Sequence, residues 1–206
     1  NMSIRGNSGY TIFGSGAMVN RQIDKLWGYD LVVLEYGLNG MQPGQRDFTK
    51  YQGKLCDMVA YIKRCFPDAA ILILGVSDRR VTGEGGWKSI NSVQYMTPFQ
   101  RRAAQNEGVA FWEMGKVIMS YGGIRGFVEN GWAAGDHIHI NFKGGARVAK
   151  PLADAIIECA YDMLVEREGK IVDMVYPLAL SPEGLYPRID QKVGTEFKEP
   201  LIFDEE

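Results

Sequence analysis

The chain contains two histidines, His137 and His139, and both lie in GDHIHINFKGG (residues 135–145), with Asp136 three residues before the second. A carboxylate and an imidazole on one turn can act as a pair: the carboxylate holds one ring nitrogen, and the other nitrogen is left to take a proton from a nucleophile. The same residues could begin a metal site. Zinc needs three or more protein ligands in matched geometry, so Asp136, His137, His139 and a distant Glu or Cys would have to converge. A second chemical signal follows the apolar run DLVVLEYG (30–37). Gly37 lets the chain leave a strand sharply, and Asn39 then presents an amide donor, although an Asn here also suits a simple turn cap. An amide donor and an oriented histidine over one crevice suggest acyl transfer.

The elements that must position these residues alternate. DLVVLEYG and AAILILGVS (69–77) are short, β-branched apolar runs that read as buried parallel strands. Between them, Leu55, Met58, Val59, Ile62 and Phe66 recur at helical spacing. VQYMTPFQRRAAQNE (93–107) predicts a third helix-strand unit with GVAFWEM (108–114), and residues 144–168 predict a long closing helix with a kink or restart at Pro151. Strand and helix in alternation imply an α/β domain with a parallel sheet covered on both faces. In such sheets ligands bind at the carboxyl ends of the strands, where Asn39 and Asp136–His139 fall. Residues 169–206 hold four prolines and no sustained period, and read as an extended tail.

IRGNSGYT (4–11), YGLNG (36–40) and DHIHINFKGG (136–145) together resemble three sequence blocks of the SGNH (GDSL-type) hydrolases, in the family's order. The resemblance covers roughly residues 4–168 and is similar to the C-terminal part of carbohydrate and peptidoglycan O-acetylesterases. It implies a doubly wound, flavodoxin-like α/β fold and a serine esterase mechanism without cofactor. Asp136 and His139 would be triad members, the N–H of Gly9 and the amide of Asn39 the oxyanion hole, and His137 a structural neighbour. Gly40 stands where the family often has Asp. The family's serine belongs to a first block, tens of residues before Gly9, that this sequence lacks. The expectation is therefore that the first strand and nucleophile come from an upstream segment, or that another copy completes the sheet; Ser8 in GNSG and Ser15 are the nearest substitutes. An O-acylated glycan or small ester would be the substrate, in a periplasmic or extracellular setting. The other readings are a non-catalytic carbohydrate-binding piece and the metal-dependent hydrolase.

Two glycine-rich stretches, SDRRVTGEGGWKSINS (77–92) and SYGGIRGFVENGWAAG (120–135), read as loops beside the crevice. Trp87 and Trp132 could stack on sugar rings there, or pin the loops to the body. Arg79 and Arg80 could meet a substrate carboxylate, though a solvated loop charge is the simpler reading. The net charge of −2 and pI near 5.8 give no basic field for a phosphate backbone, and no apolar run is long enough to span a bilayer. The cysteines, Cys56, Cys65 and Cys159, all fall on helical patterns and read as small hydrophobes.

Overall fold

The computed structural model describes residues 29–168. Three parallel strands, β1 (Leu31–Leu34), β2 (Ala70–Leu74) and β5 (Ala110–Trp112), form a sheet in the order β1-β2-β5. The register pairs Val32 with Ile71 and Ile73 with Phe111. Helices α1 (Thr49–Cys65) and α2 (Ser92–Glu107) connect the strands in turn. After β5 come α3 (Met114–Ser120), α4 (Gly123–Glu129) and α5 (Phe142–Glu168).

Side chains alternate across a strand, so β2 feeds two cores. Ile71 and Ile73 join Leu34, Phe111 and the apolar faces of α1 and α2, including Leu55, Val59 and Met96. Leu72 and Leu74 join Trp112, Val117, Ile118, Ile124, Phe127, Val148 and Ala155, from β5 and α3 to α5. With helices on both faces, the sheet is doubly wound, as the strand and helix alternation predicts. Strand β1 departs from the expectation of a fully buried strand. Leu31 and Val33 share a face and are 39% and 44% exposed, because the second core lies over β2 and β5 and contains no β1 side chain.

The two stretches read as loops are partly ordered elements. Residues 80–89 form an antiparallel hairpin of β3 (Arg80–Gly83) and β4 (Gly86–Ser89), turning at Glu84–Gly85, and residues 123–129 form α4. Helix α5 runs through Pro151 without a restart. Its proline lacks only the one N–H that would have reached Arg147. The three cysteines form no disulfide among the described residues and are partly buried. Among the described residues, no helix is long and apolar enough to cross a membrane. The expected first strand, Ser8, Gly9, Ser15 and the 169–206 tail lie outside the described residues.

Candidate active site

At the end of β1 the chain must turn at once, and Gly37 makes this possible. Its φ of 132° is one that L side chains rarely adopt, and a Cβ there would stand 2.6 Å from Val76 Cγ1 and 2.7 Å from Met96 Sδ. A single 3-10 turn, Leu38–Gly40, follows, closed by the Gly40 N–H on the Gly37 carbonyl at 2.8 Å. Asn39 sits in its middle, exposed, and its amide makes no hydrogen bond among the described residues. It is therefore not capping the turn.

A buried polar knot fixes the base of this turn. Gln100 of α2, fully buried, donates through Nε2 to the Tyr36 carbonyl (2.8 Å) and accepts the Val76 N–H through Oε1 (3.0 Å). The Tyr51 hydroxyl of α1 donates to the same Tyr36 carbonyl at 2.8 Å, and burial pushes this phenol's pKa up. One amide thus joins the chain leaving β1 to the chain leaving β2, and both backbone groups are satisfied inside the core.

The segment 131–141 folds back on itself through a bridge between Ala133 and Ile140. Asp136 closes the bend: its Oδ1 accepts the N–H groups of Ile138 and His139, both at 3.0 Å, and its Oδ2 lies 2.7 Å from His139 Nδ1. The imidazole next to the carboxylate, followed by those backbone donors, holds the pKa of Asp136 down at about 2. Asp136 thus stays ionised and fixes the ring so that Nδ1 faces it, leaving Nε2 without a bonding partner among the described residues. The side chains are open, 45% exposed for Asp136 and 70% for His139.

The bend is anchored to α5. Asn141 Oδ1 accepts the N–H groups of Lys143 and Gly144, capping the helix, while its Nδ2 donates to the Gly131 carbonyl. Gly144 presses against the Trp132 carbonyl so closely that no side chain fits there. Trp132 itself is half-buried, edge-on to Tyr121 and Phe127, with the Arg147 guanidinium 4.7 Å from its ring centroid. These contacts are those of a ring that pins its loop.

The hairpin ties the two halves together. Arg79 Nη1 donates to the Leu38 carbonyl at 2.9 Å, beside Asn39, and the next residue, Arg80, donates its N–H to the His137 carbonyl at 3.2 Å. Trp87 of β4 lays its ring on His137, centroids 4.3 Å apart, while its carbonyl accepts from Arg80 Nη2. His137 takes a φ of 55°, and its ring lies against Trp87. Asp136, His137 and His139 thus do not converge, and no cluster of three metal-ligating side chains occurs among the described residues. The turn holding Asn39 and the bend holding His139 are both joined to consecutive residues just beyond β2, which places them at one end of the sheet.

No family profile matches the chain, and no curated protein does. A solved structure of a peptidoglycan O-acetylesterase is similar, with a TM-score of 0.54 and 31% identity over 63% of this chain. The fold is of SGNH-hydrolase type. The chain spans only 37% of the length of that esterase. Sequence reading singled out Asp136, His139, Asn39 and Gly37, but not Gln100, Asn141 or the bridging role of the hairpin. Asn141, placed just before the closing helix, carries a cap signal; Gln100 sits on a helical pattern with nothing to mark its burial.

Proposed function

We propose that the protein is an O-acyl ester hydrolase using a serine mechanism, with an O-acetylated glycan as the substrate class. In this reading a serine hydroxyl outside residues 29–168 attacks the ester carbonyl. His139 Nε2 takes its proton, and Asp136 holds the ring and stabilises the imidazolium that forms. The Asn39 amide, with the Gly9 N–H, donates to the oxyanion of the tetrahedral intermediate. The proton then passes from His139 to the leaving sugar oxygen, and water repeats the sequence on the acyl-enzyme. The observation that carries this reading is the 2.7 Å contact between His139 Nδ1 and an Asp136 carboxylate whose other oxygen is locked by two backbone donors. The likeness to a peptidoglycan O-acetylesterase supports the substrate class.

The test is hydrolysis of 4-nitrophenyl acetate and O-acetylated glycan by the full-length protein. His139→Ala should cut kcat on the order of 10⁴- to 10⁶-fold with little change in Tm. His137→Ala should cost less than about tenfold, or about 1.4 kcal/mol on the barrier. Equal, near-total losses from both substitutions, with zinc restoring chelated wild type, would replace this reading by a metal-dependent one.

A further inference from the structure

Two buried carboxylates at the carboxyl end of this sheet have partners. Glu113, buried after β5, meets Arg101 Nη2 at 2.6 Å and Lys116 Nζ at 3.1 Å. Buried Asp78 accepts the Ile124 N–H at 3.0 Å. Arg79 and Arg80 stand differently. Both are half-buried, their Nε atoms are buried without a hydrogen-bond partner, and neither pairs with a carboxylate among the described residues, not even with adjacent Asp78. Each guanidinium spends one N–H group on a neutral carbonyl: Arg79 on Leu38 and Arg80 on Trp87. A cation partly withdrawn from water and left without a counter-charge is costly, and two consecutive ones repel each other.

We propose that Arg79, backed by Arg80, forms an anion subsite beside the Asn39 turn that takes a carboxylate carried by the glycan whose ester is cleaved. This rests on the esterase reading of the site. The hydrogen bond to Leu38 fixes the Arg79 guanidinium next to the residue that would receive the carbonyl oxygen, while Arg80 is joined through Trp87 and His137 to the histidine bend. A planar guanidinium with N–H groups to spare matches a carboxylate in a two-pronged contact. The recognised group is therefore a sugar acid, its carboxylate either on the ring or on an ether substituent. A neutral O-acetyl sugar would leave both charges uncompensated.

The test titrates full-length protein with two pairs of sugars, following the indole N–H of Trp87 and the ring protons of the two histidines by NMR. N-acetylmuramic acid is compared with N-acetylglucosamine, and glucuronic acid with glucose; the better acid identifies which carboxylate position fits. The acid of the fitting pair should bind about tenfold tighter or more than its neutral partner, as charge-assisted hydrogen bonds imply. High salt should erode the preference. Arg79→Met should abolish it and Arg79→Lys should retain part of it. Should Arg79→Met not fold, the salt dependence of wild type and the loss in Arg80→Met carry the same test. Equal binding of acids and neutral sugars overturns the subsite, as does a preference that survives loss of both arginines. His139→Ala separates the two claims: it should leave the carboxylate preference intact. Hydrolysis dependent on His139 alongside equal binding leaves the esterase standing without this subsite; a preference in a protein whose hydrolysis ignores His139 supports the subsite without the esterase.

Discussion

At the scale of single residues, the Asp136–His139 contact makes a pH-dependent statement. The carboxyl of Asp136 is held at about 2, first by the His139 ring and then by backbone donors, against about 3.9 in an unfolded chain. Its folded pKa is depressed, so its contribution to stability is complete above the unfolded value and is lost as pH falls through about 2. The side chain is well solvated, so the effect on folding is small. The titration itself is the readout. The carboxyl carbon of Asp136 should titrate near 2 by NMR, and in His139→Ala its midpoint should rise while staying below about 3.9, since the two backbone N–H groups remain. An unchanged midpoint would mean that the imidazole does not hold the carboxylate in solution.

At the scale of elements, the site depends on a bond that no motif announces. Gln100→Leu would leave the Val76 N–H buried and unpaired, while the Tyr36 carbonyl keeps the Tyr51 hydroxyl, and should destabilise the fold by about 1–3 kcal/mol in urea denaturation. A loss below about 1 kcal/mol would show that water reaches the knot. The contrast explains what was legible in the sequence. The parallel strands, α1, α2 and the closing helix announce themselves because apolar residues recur with period, Asn39 because polar chemistry stands just past a strand, and Asp136 and His139 because a carboxylate and both histidines share one short stretch. Strands β3 and β4 are four residues each and mostly polar, with Trp87 the sole large apolar side chain, so their alternation carries no signal; only the glycines around Glu84 hint at a turn. Arg79 looks like a solvated charge because nothing local shows that Leu38, far off in sequence, will supply a carbonyl to it. Partners brought together by the fold are invisible to local spacing.

At the scale of the whole molecule, strand β2 is shared between both cores, Ile71 and Ile73 facing one and Leu72 and Leu74 the other. The two cores should therefore melt together. Tryptophan fluorescence, to which Trp112 and Trp132 contribute from the second core, and far-ultraviolet circular dichroism, which reports on all helices, should give coincident transitions. Leu72→Ala and Ile73→Ala should each shift both, by about 2–5 kcal/mol; separate transitions would mean that each face of the sheet is stable alone. Among the described residues the Asp136–His139 pair lies in the open, 45% and 70% exposed. On the proposed esterase reading, an acyl group beside it would meet bulk solvent on the side of the described residues, so the identity of the second acceptor would be set by concentration. Competing alcohols such as methanol should capture acyl groups only in proportion to their abundance and intrinsic reactivity, so that the protein in dilute solution behaves as a hydrolase and not as a transferase.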